Sequence, residues 1–318
     1  MRTTLDCMVC FMQQALSTAR LSSSDSEVHH KIVKATGNLL SSLDLSLSPP
    51  ENAVAVYKQI VEMTGVSDPF YQHKIESNSF ALRLRDQVRE RIENAENSLY
   101  AAVCFAIAGN IIDYGVQHEF DALDIFSKCL ENNFCIDDFE LLSKEVNSSE
   151  KLNILYLADN CGEIVFDGLL VEQLQQCGHV VTLVVRGGQI LNDVTMESAV
   201  DVGIDDICTI ISNGTSCPGT PLEESSGELQ KAFSSADLII SKGQGNFETL
   251  SGVDGPIYFL LTVKCSVVAQ HITSLKNITV DTITGSGEFV LMKTGKSSSA
   301  PHPESSLPAH GQNVRHRG

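Results

Sequence analysis

The chain is short of positive charge. Its 318 residues carry 22 Lys and Arg against 40 Asp and Glu, a formal charge of −18. That balance repels nucleic acid and anionic membrane surfaces as a whole, so neither is expected as a partner. An anionic ligand is still accommodated where a local basic group or a divalent cation supplies charge. Long hydrophobic runs are missing too: no stretch approaches the roughly 18 apolar residues of a membrane-spanning helix. The first residues, MRTTLDCMVCFMQQAL, lack the basic-then-apolar layout of a signal peptide. Ten Cys are too few for a disulfide scaffold, and Cys104, Cys129 and Cys265 stand in apolar settings suited to reduced, buried thiols. The expectation is a reduced, soluble, cytoplasmic protein of enzyme size.

Several catalytic signatures are also absent. There is no G-x-S-x-G elbow and no H-E-x-x-H pair, which removes serine-hydrolase and zincin readings. Glu248 stands where a dinucleotide fingerprint beginning at Gly243 would need its last Gly. Thr294-Gly295-Lys296-Ser297 lacks the earlier glycine of a Walker loop, Val290 taking its place.

What is present divides the chain in two. Residues 1–150 read as a helical region. Met8, Phe11, Met12, Ala15, Leu16 and Ala19 recur at helical spacing, and residues 27–43 and 50–64 repeat the pattern around Pro49-Pro50. Glu76–Ala95 reads as a surface helix, Leu99–Tyr114 as an apolar core helix, and Phe120–Leu130 as a further helix. From Leu152 the pattern changes. Apolar runs at 152–158, 179–185, 207–211 and 237–240 read as buried strands, separated by helices around 164–174, 196–202 and 222–233. Residues 256–261 and 278–280 are candidate further strands. The alternation predicts an α/β fold over 151–294, with a parallel sheet. Residues 295–318 are rich in Ser, Pro and His with little to bury, and read as a disordered tail.

Polar groups cluster just after the expected strands, where open α/β sheets bind ligands. Asp159-Asn160 offers a carboxylate beside a carboxamide, hard oxygen donors suited to Mg²⁺ or Mn²⁺. A plain helix cap would use the same residues. Asn192-Asp193 repeats that chemistry after the next strand, within Arg186-Gly-Gly-Gln-Ile-Leu-Asn-Asp. Ser241-Lys242-Gly243-Gln-Gly245-Asn246-Phe-Glu248 combines glycines, which let backbone amides approach an anion, with one lysine. Lys242 reads either as an anion-binding cation or as a solvated loop lysine. Asn110 and Asp113 fall on nearly one face of the apolar helix. Their readings are an interdomain polar network and a substrate contact, which are compatible. Together the groups imply metal-assisted chemistry on a phosphate, with Lys242 and loop amides neutralising charge in the transition state. Cys7-Met-Val-Cys10 stands apart as half a zinc site, a redox pair or two core neighbours; no second C-x-x-C exists.

The succession Asp159-Asn160-Cys-Gly-Glu163-Ile-Val-Phe-Asp167, Arg186 to Thr195 and Ser241 to Glu248 resembles the DUF89, or ARMT1-like, damage-control phosphatases. Cys7-x-x-Cys10, Thr64 to Phe70 with Lys74 and Asn78, and Gly109-Asn110-Ile-Ile-Asp113 extend the resemblance, which ends near Gly285. The N-terminal C-x-x-C is similar to that of the small stand-alone subfamily. The resemblance implies a helical domain beside a Rossmann-like α/β/α domain, with the site between them. It implies a phosphatase dependent on Mn²⁺, Ni²⁺ or Co²⁺, with Mg²⁺ also eligible, acting on small phosphorylated metabolites such as sugar phosphates or damaged metabolites. By similarity Asp159, Asn160 and Asp193 hold the metal. Asn192, Lys242, Gly243 and Asn246 hold the phosphate, with Lys242 also catalytic. Glu163 orients ligands or water, and Asn110 and Asp113 face the site. Departures from the family pattern lie at Gly188-Gln189 and at Ser266, where proline is usual. The alternatives are a carboxyl methyltransferase, since the family has been linked to that reaction, and a non-catalytic phosphometabolite-binding protein. The natural substrate and oligomeric state are not encoded in any motif.

Overall fold

A computed structural model describes residues 1–110, 129–130, 134–279 and 282–294. Five helices open the chain: α1 (Leu5–Ser22), α2 (Ser26–Leu40), α3 (Pro49–Thr64), α4 (Tyr71–Glu93) and α5 (Ser98–Ala108). Local chemistry fixes several of their ends. Ser48 and Glu51 form a reciprocal capping box at the start of α3, with Pro49 at its first position, and Gly65 closes it in the left-handed region at φ 71°. In α4 the buried residues Ala81, Leu84, Val88 and Ile92 make one stripe on an otherwise charged helix. In α5 every residue from Ala101 to Ala108 is buried, as its all-round apolar composition requires.

The remaining elements are β1 (Ile136–Asp137), α6 (Phe139–Val146), β2 (Asn153–Leu157), α7 (Glu163–Gln176), β3 (Val180–Val185) and α8 (Met196–Asp201). They are followed by β4 (Thr209–Ser212), α9 (Gly227–Ser235), β5 (Leu238–Lys242), α10 (Gly243–Leu250), β6 (Ile257–Val263), α11 (Ser266–Lys276) and β7 (Glu288–Thr294). One seven-stranded sheet runs in the order β1-β7-β6-β5-β2-β3-β4. Strands β6, β5, β2, β3 and β4 are mutually parallel, and β7 lies antiparallel to β6. The fold is α/β with a mixed sheet.

Strand alternation sends side chains to two separate cores. Ile154, Tyr156, Leu183, Leu238 and Ile240 pack under α4, α5 and α7. Leu155, Leu157, Val184, Ile239 and Phe259 pack against residues of α9, α10 and α11 on the opposite face. A third, smaller core joins α1, α2 and α3 through Phe11, Ala15, Ile32, Val56 and Ile60. Among the described residues no helix is long and apolar enough to cross a membrane.

Three details differ from the sequence reading. The sheet recruits β1, with α6 following it, from before residue 151, so the α/β layer begins ahead of the expected boundary. The helix expected over 222–233 forms over Gly227–Ser235, where Ser226 caps it. Residues 278–279 are not a strand, because α11 ends at Asn277 with φ 52°, and the position beside β6 is filled by β7 instead. Most of Phe120–Leu130, and the tail 295–318, lie outside the described residues.

Candidate active site

The strand order reverses beside β2: the chain runs from β2 outward to β3 and β4, then returns to β5 on the other side. The crevice at the carboxyl ends of β2 and β5 is therefore the switch point at which such sheets bind ligands. A cleft of about 480 Å³ opens there, walled by Cys7, Cys10 and Phe11 of α1, Pro49 and Pro50 of α3, and Asn110. Asp159, Asn160, Asn192 and Asp193 line it from the sheet side, and Lys264, Cys265 and Ser266 from the end of β6.

The two polar dipeptides meet. Asn160 and Asp193 form an isolated antiparallel bridge, and Val194 N–H donates to the Asp159 carbonyl at 2.9 Å. Cys161, wholly buried behind them, points its thiol at the Asp193 carbonyl, 3.9 Å away. Arg186, only 2% exposed, binds both carboxylates: Nε donates to Asp193 Oδ2 at 2.6 Å and Nη2 to Asp159 Oδ1 at 3.4 Å. Burial, then the charges of Asp193 and Glu163, raises the Asp159 carboxyl well above its ordinary range, while Arg186 and Lys242 pull it down. Burial likewise raises Asp193 against the opposing pull of Arg186. Two crowded carboxylates against one guanidinium leave negative charge that a divalent cation would neutralise. With the Asn160 carboxamide they form a hard oxygen set suited to Mg²⁺, Mn²⁺ or a related ion. Among the described residues no group of three or more His, Cys, Asp or Glu is arranged to hold a metal ion.

Lys242 is not where a phosphate ligand would be. It is fully buried and lies outside the cleft lining. Its ammonium donates to the Ala106 carbonyl at 2.7 Å, to Asp167 Oδ1 at 2.7 Å and to Glu163 Oε1. Three protons meet three acceptors, which leaves none for a substrate. The loop glycines suggested an anion cradle, but strand alternation decides otherwise: Lys242 falls on the same face of β5 as Leu238 and Ile240, under α5 and α7.

Gly243 and Asn246 are also structural neighbours of the site rather than its lining. Gly243 has φ 78°, and a Cβ there would fall 1.9 Å from Asp159 Oδ2, so only glycine admits the carboxylate. Asn246 accepts from Arg186 Nη1 at 3.0 Å and Thr220 Oγ1 at 2.8 Å, and donates to the Ala158 and Lys242 carbonyls. Glu163, 1% exposed, accepts at Oε2 from Asn110 Nδ2 at 2.8 Å and from Asn160 Nδ2 at 3.1 Å. Asn110 thus reaches the site from α5's end. Asp113 lies outside the described residues.

The helical region pins these loops in place. Asn78 Oδ1 accepts from the Gly162 N–H at 2.6 Å, and Lys74 Nζ donates to Asp68 Oδ2 at 3.1 Å and Gln189 Oε1 at 2.5 Å. Gln189, one of the departures from the family pattern, therefore ties the Arg186–Asp193 loop to α4.

Two functional candidates escaped the sequence reading. Arg186 was visible as the first polar residue after β3. Lys264 was visible as a lysine directly after β6, at the same end of the sheet as Asp159. Among the described residues it is the one lysine or arginine lining the cleft, which also presents Asp6, Asp159, Asp193 and Glu248.

Comparison with known proteins places the chain in a family. The damage-control phosphatase ARMT1-like domain matches residues 3–277. The chain is 32% identical over 276 residues to a damage-control phosphatase of Pyrococcus horikoshii, covering 86% of this chain and 94% of that protein. It is 33% identical over 275 residues to a damage-control phosphatase of Archaeoglobus fulgidus, covering 84% and 93%. The crystal structure of a DUF89 family protein from Pyrococcus horikoshii superposes with a TM-score of 0.82 at 30% identity, covering 92% of this chain and 99% of that one. With the family domain spanning most of its length and relatives matched nearly end to end, the chain belongs to the ARMT1-like damage-control phosphatase family, DUF89.

Proposed function

We propose that the protein is a divalent-metal-dependent phosphatase acting on small phosphorylated metabolites, damaged metabolites and sugar phosphates among them. The observation that carries this reading is the convergence of Asp159, Asn160 and Asp193 at the switch point of the sheet, inside a cleft where the described lining has four carboxylates against one lysine. A phosphate ester would be repelled from such a cleft unless a cation joined it there. The names of the relatives support the same reaction class.

Asp159, Asn160 and Asp193 would hold the metal, with Mn²⁺, Ni²⁺ and Co²⁺ the expected ions and Mg²⁺ also compatible with the oxygen donors. Once bound, the ion would polarise the phosphoryl group and acidify water. The chain's own residues do the rest. Arg186 holds the two carboxylates at a fixed separation, and Glu163 aligns Asn160 and Asn110. Lys264 and Asn192 line the cleft where they meet phosphate oxygens, the role that the sequence pattern assigned to Lys242. The walls from α1 and α3 cover the site and select for small substrates.

The test is hydrolysis of a generic aryl phosphate by metal-stripped protein, with Mn²⁺, Co²⁺, Ni²⁺ or Mg²⁺ returned singly. Turnover restored by metal and lost in Asp159→Ala supports the proposal. Folded protein that stays inactive with every metal overturns it, and points to phosphometabolite binding or methyl transfer.

A further inference from the structure

Lys242 sits in a dry network with two acids. Besides its bonds to Glu163, Asp167 and Ala106, the network includes Tyr156, whose hydroxyl donates to Asp167 Oδ1 at 2.7 Å. Asp167 Oδ2 is buried without a hydrogen-bond partner. Lys242, Glu163 and Asp167 are each at most 1% exposed. Such burial is a poor route to stability, because desolvating one cation and two carboxylates offsets what their attraction returns. A hydrophobic residue at Lys242, with apolar partners, would fill the same space at less cost. The arrangement calls for a role in the site.

That role is visible at Asn160. Its Nδ2 lies between two carboxylates, donating to Asp159 Oδ2 at 2.7 Å and to Glu163 Oε2 at 3.1 Å. Both carboxyl oxygens accept here, so both amide protons are committed and turning the carboxamide over would set oxygen against oxygen. Oδ1 is thereby directed away from both acids and kept as a donor for a cation. Glu163 can do this only while its carboxylate is held in place, and the ammonium of Lys242, bonded to Oε1, holds it from behind.

We infer that Lys242, backed by Asp167 and acting through Glu163, is a positioning residue that sets which face of the Asn160 carboxamide is presented to the metal. This inference rests on the metal-dependent reading above. It assigns Lys242 to the metal side of the chemistry and removes it from phosphate recognition.

The experiment uses Lys242→Met and Glu163→Gln in the full chain. The second variant keeps side-chain volume and carries the test if the first fails to fold. Mn²⁺ affinity is measured by electron paramagnetic resonance of the free ion, and the coordination sphere by the visible spectrum of the Co²⁺ form. Inhibition by inorganic phosphate is measured at saturating metal. The expected result is Mn²⁺ affinity weakened by roughly 10–100-fold, the range for losing an outer partner of a metal ligand. An altered Co²⁺ spectrum and an unchanged phosphate inhibition constant should accompany it. Folded variants with wild-type metal affinity and spectrum but lost phosphate inhibition would overturn the inference and return Lys242 to the substrate. Wild-type protein that binds neither Mn²⁺ nor Co²⁺ would overturn the functional reading itself.

Discussion

Arg186 and Asp193 face each other with Nε and Oδ2 only 2.6 Å apart, both nearly sealed from water. The same guanidinium reaches Asp159, so a single cation holds together two acids that would otherwise repel.

Removing that cation should be felt first as instability. Arg186→Ala leaves two buried carboxylates without their partner, and breaking such a pair costs about 3–5 kcal/mol. Urea unfolding of the metal-free protein measures it. A loss under about 1 kcal/mol, the scale of an exposed pair, would mean that the site is open to water. Saturating Mn²⁺ should recover part of the loss.

Gly243→Ala should disable the site by steric means. The new methyl would enter the space of the Asp159 carboxylate while φ 78° strains the backbone. Metal-dependent turnover is expected to disappear, with a lowered melting temperature. Retained activity would show that the loop shifts to admit the methyl.

Asp193→Ala is expected to abolish metal-dependent turnover, a larger effect than the roughly 10–100-fold loss typical of an outer partner. Circular dichroism should show the fold retained. Unchanged turnover would remove Asp193 from the ligand set.

Lys264→Ala and Lys242→Met should separate cleanly. The first is expected to raise KM and weaken inhibition by inorganic phosphate without changing Mn²⁺ affinity, because Lys264 lines the cleft from the end of β6 and is not one of the three proposed metal ligands. Titrations with phosphate and with Mn²⁺ decide it. A Lys264 variant with normal phosphate inhibition would leave the anion without its proposed lysine.

Stability of the metal-free protein should fall as pH rises from about 4 to 7. Burial pushes the Asp167 carboxyl up to about 6 and Glu248 up to about 7. These acids therefore hold protons in the folded state that the unfolded chain has already released, and the sign of the linkage is negative over that window. Asp159 and Asp193, raised as well, act in the same direction. Metal binding requires the deprotonated ligands, so the melting-temperature gain on adding Mn²⁺ should be larger at pH 7.5 than at pH 5.5. Thermal scans at both values, with and without metal, provide the check. An apo protein that stabilises steadily from pH 4 to 7 would contradict the burial of these acids.

Much of the site was legible because hard oxygen donors after apolar runs have few other places to go. Asp159-Asn160 and Asn192-Asp193 each follow a strand of the parallel sheet, and the sheet brings them together. Lys242 shows the limit. Its residue type and glycine neighbours match an anion loop, yet whether a strand's last side chain turns inward or outward depends on the face its predecessors occupy. Alternation from Leu238 and Ile240 gave that sign, as did Glu163 and Asp167, two acids one helical turn apart in an otherwise apolar helix needing an internal cation. Residues 288–294 gave no comparable warning. Their strand pairs with both β6 and β1, a tertiary demand that local pattern does not announce.

The reversed direction of β7 has a practical consequence. Thr294 pairs with Ile257, where β6 begins, and so lies at the pole of the sheet remote from Asp159 and Lys264. An affinity handle, a fluorophore or a surface tether joined just beyond Thr294 would be attached at the end of the sheet remote from the cleft. Surface-immobilised assays with bulky phosphates are then feasible without the support itself becoming part of the selectivity being measured.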